Sequence, residues 1–198
     1  MAMFVMATSG KIYGQPRYTD ATNAIDDRLV AAITATNYDP KVNLQGLLAD
    51  SHTQRQQIIQ ALLKVLNEPK SSNWAKRYAA YYLGQIHAVE AIDSLAAQIT
   101  LRPPYPIGGS LAFRESEFNG SPAFSALIHI GNASIPDLIR NLAESDDIET
   151  KRLSILAIFQ IDGDKDISQL RLQKTLKAET NSQRQARLQE ALKALAEI

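Results

Sequence analysis

The sequence predicts an all-α protein, a right-handed α-solenoid (an alpha-alpha superhelix) of stacked helical hairpins. Three observations predict it. A short helical motif recurs along the chain, a second apolar helical stripe follows each copy, and no stretch alternates apolar and polar residues as a sheet would. The motif is Arg77-Tyr78-Ala79-Ala80-Tyr81-Tyr82-Leu83-Gly84. Moved forward by 47 residues it falls on Phe124-Ser125-Ala126-Leu127-Ile128-His129-Ile130-Gly131, and by a further 31 on Ile155-Leu156-Ala157-Ile158-Phe159-Gln160-Ile161-Asp162. A small residue recurs at Ala79, Ala126 and Ala157, where it would let a neighbouring helix approach closely. Each copy closes on Gly or Asp, which reads as a helix stop, because Gly takes the left-handed cap without steric cost.

Residues 1–20 read as irregular, with Gly10, Gly14 and Pro16; Ile25 to Ile33 reads as a helix preceded by the capping residues Thr22 and Asn23. Residues 1–40 therefore form an N-terminal segment ahead of a repeat domain over 41–198. Val42 to Ala49 reads as the short partner of Gln54 to Leu66, whose Ile58, Ile59, Leu62, Leu63 and Leu66 make one apolar face ending near Pro69. In the next two units the second helix is marked by Ile92, Leu95 and Ile99, then by Ile135, Leu138 and Leu142, both at i, i+3, i+7. Each unit is thus a hairpin of about 30 residues, the size of stacked helical repeats. The longer first spacing marks an insertion over 101–121, which Pro103, Pro104, Pro106, Gly108, Gly109 and Gly120 keep out of regular helix. Ile167, Leu170, Leu172 and Leu176 read as the second helix of the last full unit. Ser182 to Ile198, with Ala186, Leu188, Leu192 and Leu195, reads as a C-terminal cap.

These residues carry a family resemblance. Ala75 to Ile86, followed by Glu90-Ala91-Ile92-Asp93-Ser94-Leu95, resembles a HEAT repeat of the short bacterial, phycobilisome-lyase-like type. Ser125 to Gly131 with Ile135-Pro136-Asp137-Leu138-Ile139 looks like a second copy. The resemblance covers about residues 40–198, most specifically 73–144, and leaves out the insertion and the N-terminal 40 residues. It implies an adaptor built on helical repeats, without a cofactor.

Composition narrows the function classes. The chain has 198 residues, 45% hydrophobic and 21% charged, which suits a folded domain with its own core. Its 21 basic residues balance its 21 acidic ones, so the footprint of a nucleic-acid or anionic-membrane binder is missing. Without cysteine there is no thiol nucleophile, disulfide or Cys-ligated metal. The longest wholly apolar run, Met1 to Ala7, is far short of a membrane span, and its flanks do not resemble an intact signal peptide. A cytoplasmic protein is expected, with export after signal removal left open.

Several residue groups carry candidate chemistry. Asp162, Asp164 and Asp166 have the first three spacings of a calcium loop, but Ile167 stands in place of its Gly and Gln173 in place of its closing Glu. An interhelical turn, with Gly163 at the bend and an acid capping the next helix, fits them better, so no metal is expected. His52, His87 and His129 lack a metal-ligand spacing and read as structural. Trp74, Arg77 and Tyr81 share one helix flank; they suit an interface hot spot, or packing against the preceding repeat. The insertion presents Arg102, Tyr105, Phe113, Arg114, Glu115, Glu117 and Phe118 on a Pro-stiffened loop, either to recognise a partner or to seal the space between two repeats. On the second helices, Asp93, Ala97, Asp137, Arg140, Asn141 and Lys174 take outward positions of mixed sign, which suits a protein or peptide more than a polyanion.

A non-catalytic protein-interaction scaffold is the function these features predict. The partner-binding candidates are Tyr105, Phe113, Arg114, Glu115, Phe118, Trp74, Arg77, Tyr81, Asp137 and Arg140, with no catalytic residue among them. The resemblance also implies an alternative, a bilin lyase-like or other small-molecule-handling protein, with Tyr81, Tyr82, Tyr105 and Phe113 contributing an apolar pocket. A helical-repeat DNA glycosylase would need a basic concave face that the balanced charge does not offer.

Overall fold

A computed structural model describes residues 51–101 and 121–198, and within them every regular element is helical. In chain order these are α1 (Ser51–Asn67), α2 (Asn73–Gln85), α3 (Ile92–Ala97), α4 (Pro122–Ile130), α5 (Ile135–Glu144), α6 (Ile148–Asp162), α7 (Lys165–Ala178) and α8 (Ser182–Glu197). Short 3₁₀ turns at Val89–Ala91 and Gly131–Ser134 lead into α3 and α5. The segments expected at 1–20, 25–33 and 42–49, and the interior of the insertion, lie outside the described residues.

Helix starts follow local side-chain chemistry. Ser72 accepts from the Ala75 N–H at 3.1 Å, Asp147 from Thr150 at 2.7 Å, Asp164 from Asp166 at 2.7 Å and Asn181 from Gln183 at 3.0 Å. Each short polar side chain satisfies an amide that has no partner inside its own helix. Ser121 does this for α4, which has Pro122 at its first position. Its hydroxyl is buried and also donates to the Ile99 carbonyl at 2.5 Å, tying α4 to the segment after α3.

Helix stops divide into two kinds. Gly163 ends α6 in the left-handed region at φ 68°, as the turn chemistry of Asp162-Gly163 predicts. The end of α2 corrects the expectation for Gly84, which lies inside the helix. The left-handed residue there is His87, at φ 48°. The His87 N–H donates to Gly84 O at 3.0 Å and the Ala88 N–H to Leu83 O at 2.9 Å, the paired bonds of a Schellman turn.

Two rows of helices result. In one, α2 packs on α4 and α4 on α6; in the other, α1, α3, α5 and α8 pack in succession, and the chain alternates between rows until α6. The α2–α4 contact is the most extensive, and Gly84 is the reason. A Cβ on Gly84 would stand 2.7 Å from Ala126 Cα, so only glycine allows this approach. Ala79, Ala126 and Ala157, the recurring small residues, are all buried. Phe124, Leu83, Leu127 and Leu138 fill the space around them, each worth about 1.5–3 kcal/mol of apolar burial.

The second row is linked at its helix ends. Gln98 Nε2 donates to Leu66 O of α1 at 3.0 Å, Asn141 Nδ2 to Ala96 O of α3 at 3.0 Å, and Arg187 Nη1 to Glu144 O of α5 at 2.7 Å. Each of these three carbonyls in a last helical turn thus receives a side-chain donor from the next helix or its flank.

The end of this row departs from the expected hairpin order. It is α8, with Leu188, Ala191 and Leu195 buried, that packs on α5, whereas α7 packs on α6 and α8. Consequently Ile167 and Leu170 are exposed at 50% and 68%, and Leu172 alone of the four expected core residues of α7 is fully buried. The side of α7 turned inward carries Ser168, Arg171 and Leu172 instead, because Arg171 and Ser168 bind the Asp162 carboxylate.

Candidate functional site

An open apolar groove of about 440 Å³ runs between α6 and α8. Ile148, Ile155 and Leu156 line it from α6, and Ala191, Ala194 and Ile198 from the C-terminal side. Their spacings, i, i+7, i+8 and i, i+3, i+7, put each set on one helix face. On α6 this face lies opposite buried Ala157, nine residues and half a turn away from Ile148. The floor is Ile155 and Ala191, both buried, while Ile148 stands at the mouth with 78% of its surface in solvent.

The groove walls differ in charge. Lys151 and Arg152 rise from α6 and Glu190 from α8. Arg152 is held by Glu149 through two bonds of 2.8 Å, and that carboxylate raises the guanidinium above its usual pKa. Lys151 and Glu190 are 3.8 Å apart, with Glu190 68% exposed, a loose pair that adds little to stability.

The residues expected from the sequence to bind a partner are distributed differently. Arg77 lies over the Trp74 ring at 5.3 Å, within cation–π range, and Trp74 stacks on Tyr78 at 6.2 Å. Tyr81 meets Tyr82 edge to face at 5.1 Å and remains 39% exposed. Trp74, Arg77, Tyr78 and Tyr81 form a partly exposed ridge along α2, while Tyr82 is buried in the core. Asp137 and Arg140 pair at 2.6 Å, and Arg140 also reaches Asp93 at 2.5 Å, joining α3 to α5. Asn141, expected outward, serves as the donor to Ala96 O. Tyr105, Phe113, Arg114, Glu115 and Phe118 lie outside the described residues.

The three aspartates of the calcium-like spacing do separate work. Asp162 is buried and takes Arg171 Nη2 at 2.8 Å and Ser168 Oγ at 3.0 Å, Asp164 caps α7, and Asp166 lies in the first turn of that helix. Among the described residues no group of three or more acidic or histidine side chains is placed to hold a metal ion. His129 Nδ1 lies 2.8 Å from the Ser125 carbonyl one turn back, and His87 forms the α2 turn.

Reading the sequence for repeats missed the groove. A signal for it was present in α6, whose apolar residues are not confined to one stripe but point to several sides between charged ones, from Leu153 and Ile158 to Ile148 and Leu156. Such a helix calls for cover on more than one side. Among the described residues, no helix is long and apolar enough to cross a membrane. Comparison with protein-family models, curated proteins and solved structures returned no match to the chain.

Proposed function

We propose that the chain is a non-catalytic protein-binding module, a right-handed α-solenoid of HEAT-like hairpins whose partner docks in the α6–α8 groove. The observation that carries this reading is the groove itself. It is lined by aliphatic side chains, opens to solvent, and has Ile148 almost wholly exposed at its mouth. Apolar surface of this kind, flanked by charges, is the chemistry of a protein interface. The row order of the helices and the donors that link successive helix ends support the repeat architecture.

The test is affinity capture with the whole chain and an Ile148→Glu variant. Ile148 touches little of the core, so circular dichroism and the unfolding midpoint should stay unchanged. Capture of a discrete protein by the native chain, lost in the variant, supports the reading. Equal capture by both moves the interface away from the groove.

A second reading, a small-molecule carrier of the bilin-handling kind, draws on the groove volume, which falls in the range of ligand sites. Visible absorbance after incubation with a linear tetrapyrrole would favour it; an unchanged spectrum counts against it.

A further inference from the structure

Building on the groove as a binding site, we infer that its occupant is an amphipathic α-helix of a partner protein, two turns of which lie between α6 and α8 with acidic residues on one flank and basic residues on the other. Three observations point to this chemistry.

First, both walls are helices, α6 and the C-terminal turns of α8. Away from the first turn of α6 and the last turn of α8, their main-chain groups are paired within their own helices, so the groove offers no continuous ladder to an extended peptide. An extended segment would leave its own N–H and C=O groups unpaired against aliphatic side chains, which is costly, whereas a helix arrives with them satisfied. Second, the wall from α8 presents Ala191 and Ala194. Small side chains are what this protein uses where its own helices cross closely, as Gly84 meets Ala126. Each wall spans nine residues, from 148 to 156 and from 190 to 198, or about 12 Å over eight steps of 1.5 Å. That length matches an i, i+3, i+4, i+7 set of anchors on the incoming helix. Third, the α6 wall carries Lys151 and Arg152, the latter already bonded to Glu149, and the α8 wall carries Glu190, with a loose 3.8 Å contact between Lys151 and Glu190. A ligand helix with acids toward α6 and a base toward Glu190 meets an opposite charge on both sides, which also sets its direction along the groove.

The experiment uses the whole chain and three synthetic helical peptides of about 14 residues that share one leucine stripe. One has Glu on one flank and Lys on the other, one has Glu on both, and one has Lys on both. Titration calorimetry at low salt should show the mixed peptide binding about tenfold more tightly than either single-sign peptide. Its helicity should rise on binding, and Ala194→Arg, an exposed position that fills the groove, should abolish the heat. Glu190→Lys should transfer the preference to the peptide with Glu on both flanks. Equal affinity for a proline-broken version of the mixed peptide would overturn the helical occupant. So would a chain dimer in sedimentation velocity that Ala194→Arg dissolves, which would make a second copy the occupant. If no peptide binds while Ile148-dependent capture of a protein persists, this inference fails and the binding reading stands. If both are absent, both fail.

Discussion

Two helix contacts in this molecule, α2 with α4 and α6 with α8, begin from similar surfaces and end differently. Both have small residues at the centre, Gly84 and Ala126 in one, Ala191 and Ala194 in the other, with aliphatic residues beside them. At the first, the helices close until a single Cβ would collide with a backbone atom. At the second they stand apart around a groove, and Ile148 remains in solvent. The difference lies in what comes next along each row. The face of α2 is covered by α4, and that of α4 by α6, but α6 is the last helix of its row among the described residues. There α8 turns to the other row and packs on α5. Among the described residues no helix covers this face of α6, because α8 packs on α5.

Adding the same bulk to both contacts is the strongest way to break this comparison. Gly84→Leu puts a whole side chain where a Cβ already lies 2.7 Å from Ala126 Cα, so α2 and α4 must separate. The expected cost is about 3 kcal/mol, or loss of folding. Ala194→Leu puts the same side chain on the exposed groove wall and should change stability by no more than about 0.5 kcal/mol. Urea unfolding of the two variants beside the native chain measures both. Similar losses would mean that the groove is as closely packed as the crossing.

How much of this was legible follows from the same two contacts. The recurring alanines Ala79, Ala126 and Ala157 marked the close-packed face of α2, α4 and α6, because a small residue at a fixed helical position has few other uses. The acid expected to cap the helix after the Gly163 bend is Asp164, at the start of α7. Gly84 was read as a stop, since a glycine near a helix end suits both a left-handed cap and a close crossing. Only the neighbour, Ala126, decides between them. Ile167 and Leu170 looked like core for a related reason. Periodicity shows that a stripe exists, and tertiary order decides what covers it; here Arg171 turned inward to the buried Asp162 carboxylate. The groove was hidden because it depends on α6 meeting α8 as well as α7, a pairing that no local pattern encodes.

The turn after α2 sharpens the comparison at the closed end. His87 holds a left-handed φ of 48°, which costs a non-glycine residue roughly 1 kcal/mol, and its side chain is exposed. Its backbone carbonyl accepts from Arg55 Nη2 at 3.2 Å, a bond that survives any side-chain change. His87→Gly should therefore stabilise the chain by about 1 kcal/mol, seen as a higher unfolding midpoint with an unchanged slope. A neutral or destabilising result would mean that the imidazole holds the turn in a way its exposure does not show.

The smallest expected effect is one of pH, beside the same turn. Arg55 of α1 bonds Glu90 at 2.7 Å, and Gln56 Nε2 donates to the same carboxylate at 2.8 Å. The Arg55 bond, ahead of the backbone and Gln56 bonds, holds Glu90 below its ordinary value of 4.5. A carboxyl whose pKa is lower folded than unfolded binds fewer protons in the native state. Its stabilisation is complete above the unfolded value and drains away as pH falls through the folded one. Both partners are partly exposed, so the gain at neutral pH is no more than about 0.5 kcal/mol. Glu90→Gln should then be slightly less stable than the native chain at neutral pH, and the difference should shrink as pH falls through the lowered folded value and the native carboxyl takes up its proton. Lys151 and Glu190, 3.8 Å apart across the open groove, supply the contrast, because Glu190→Gln should cost nothing measurable over the same pH range. A deficit in Glu190→Gln equal to that of Glu90→Gln would show that the groove walls are already drawn together in solution, and that the open end of the molecule is held as firmly as the closed one.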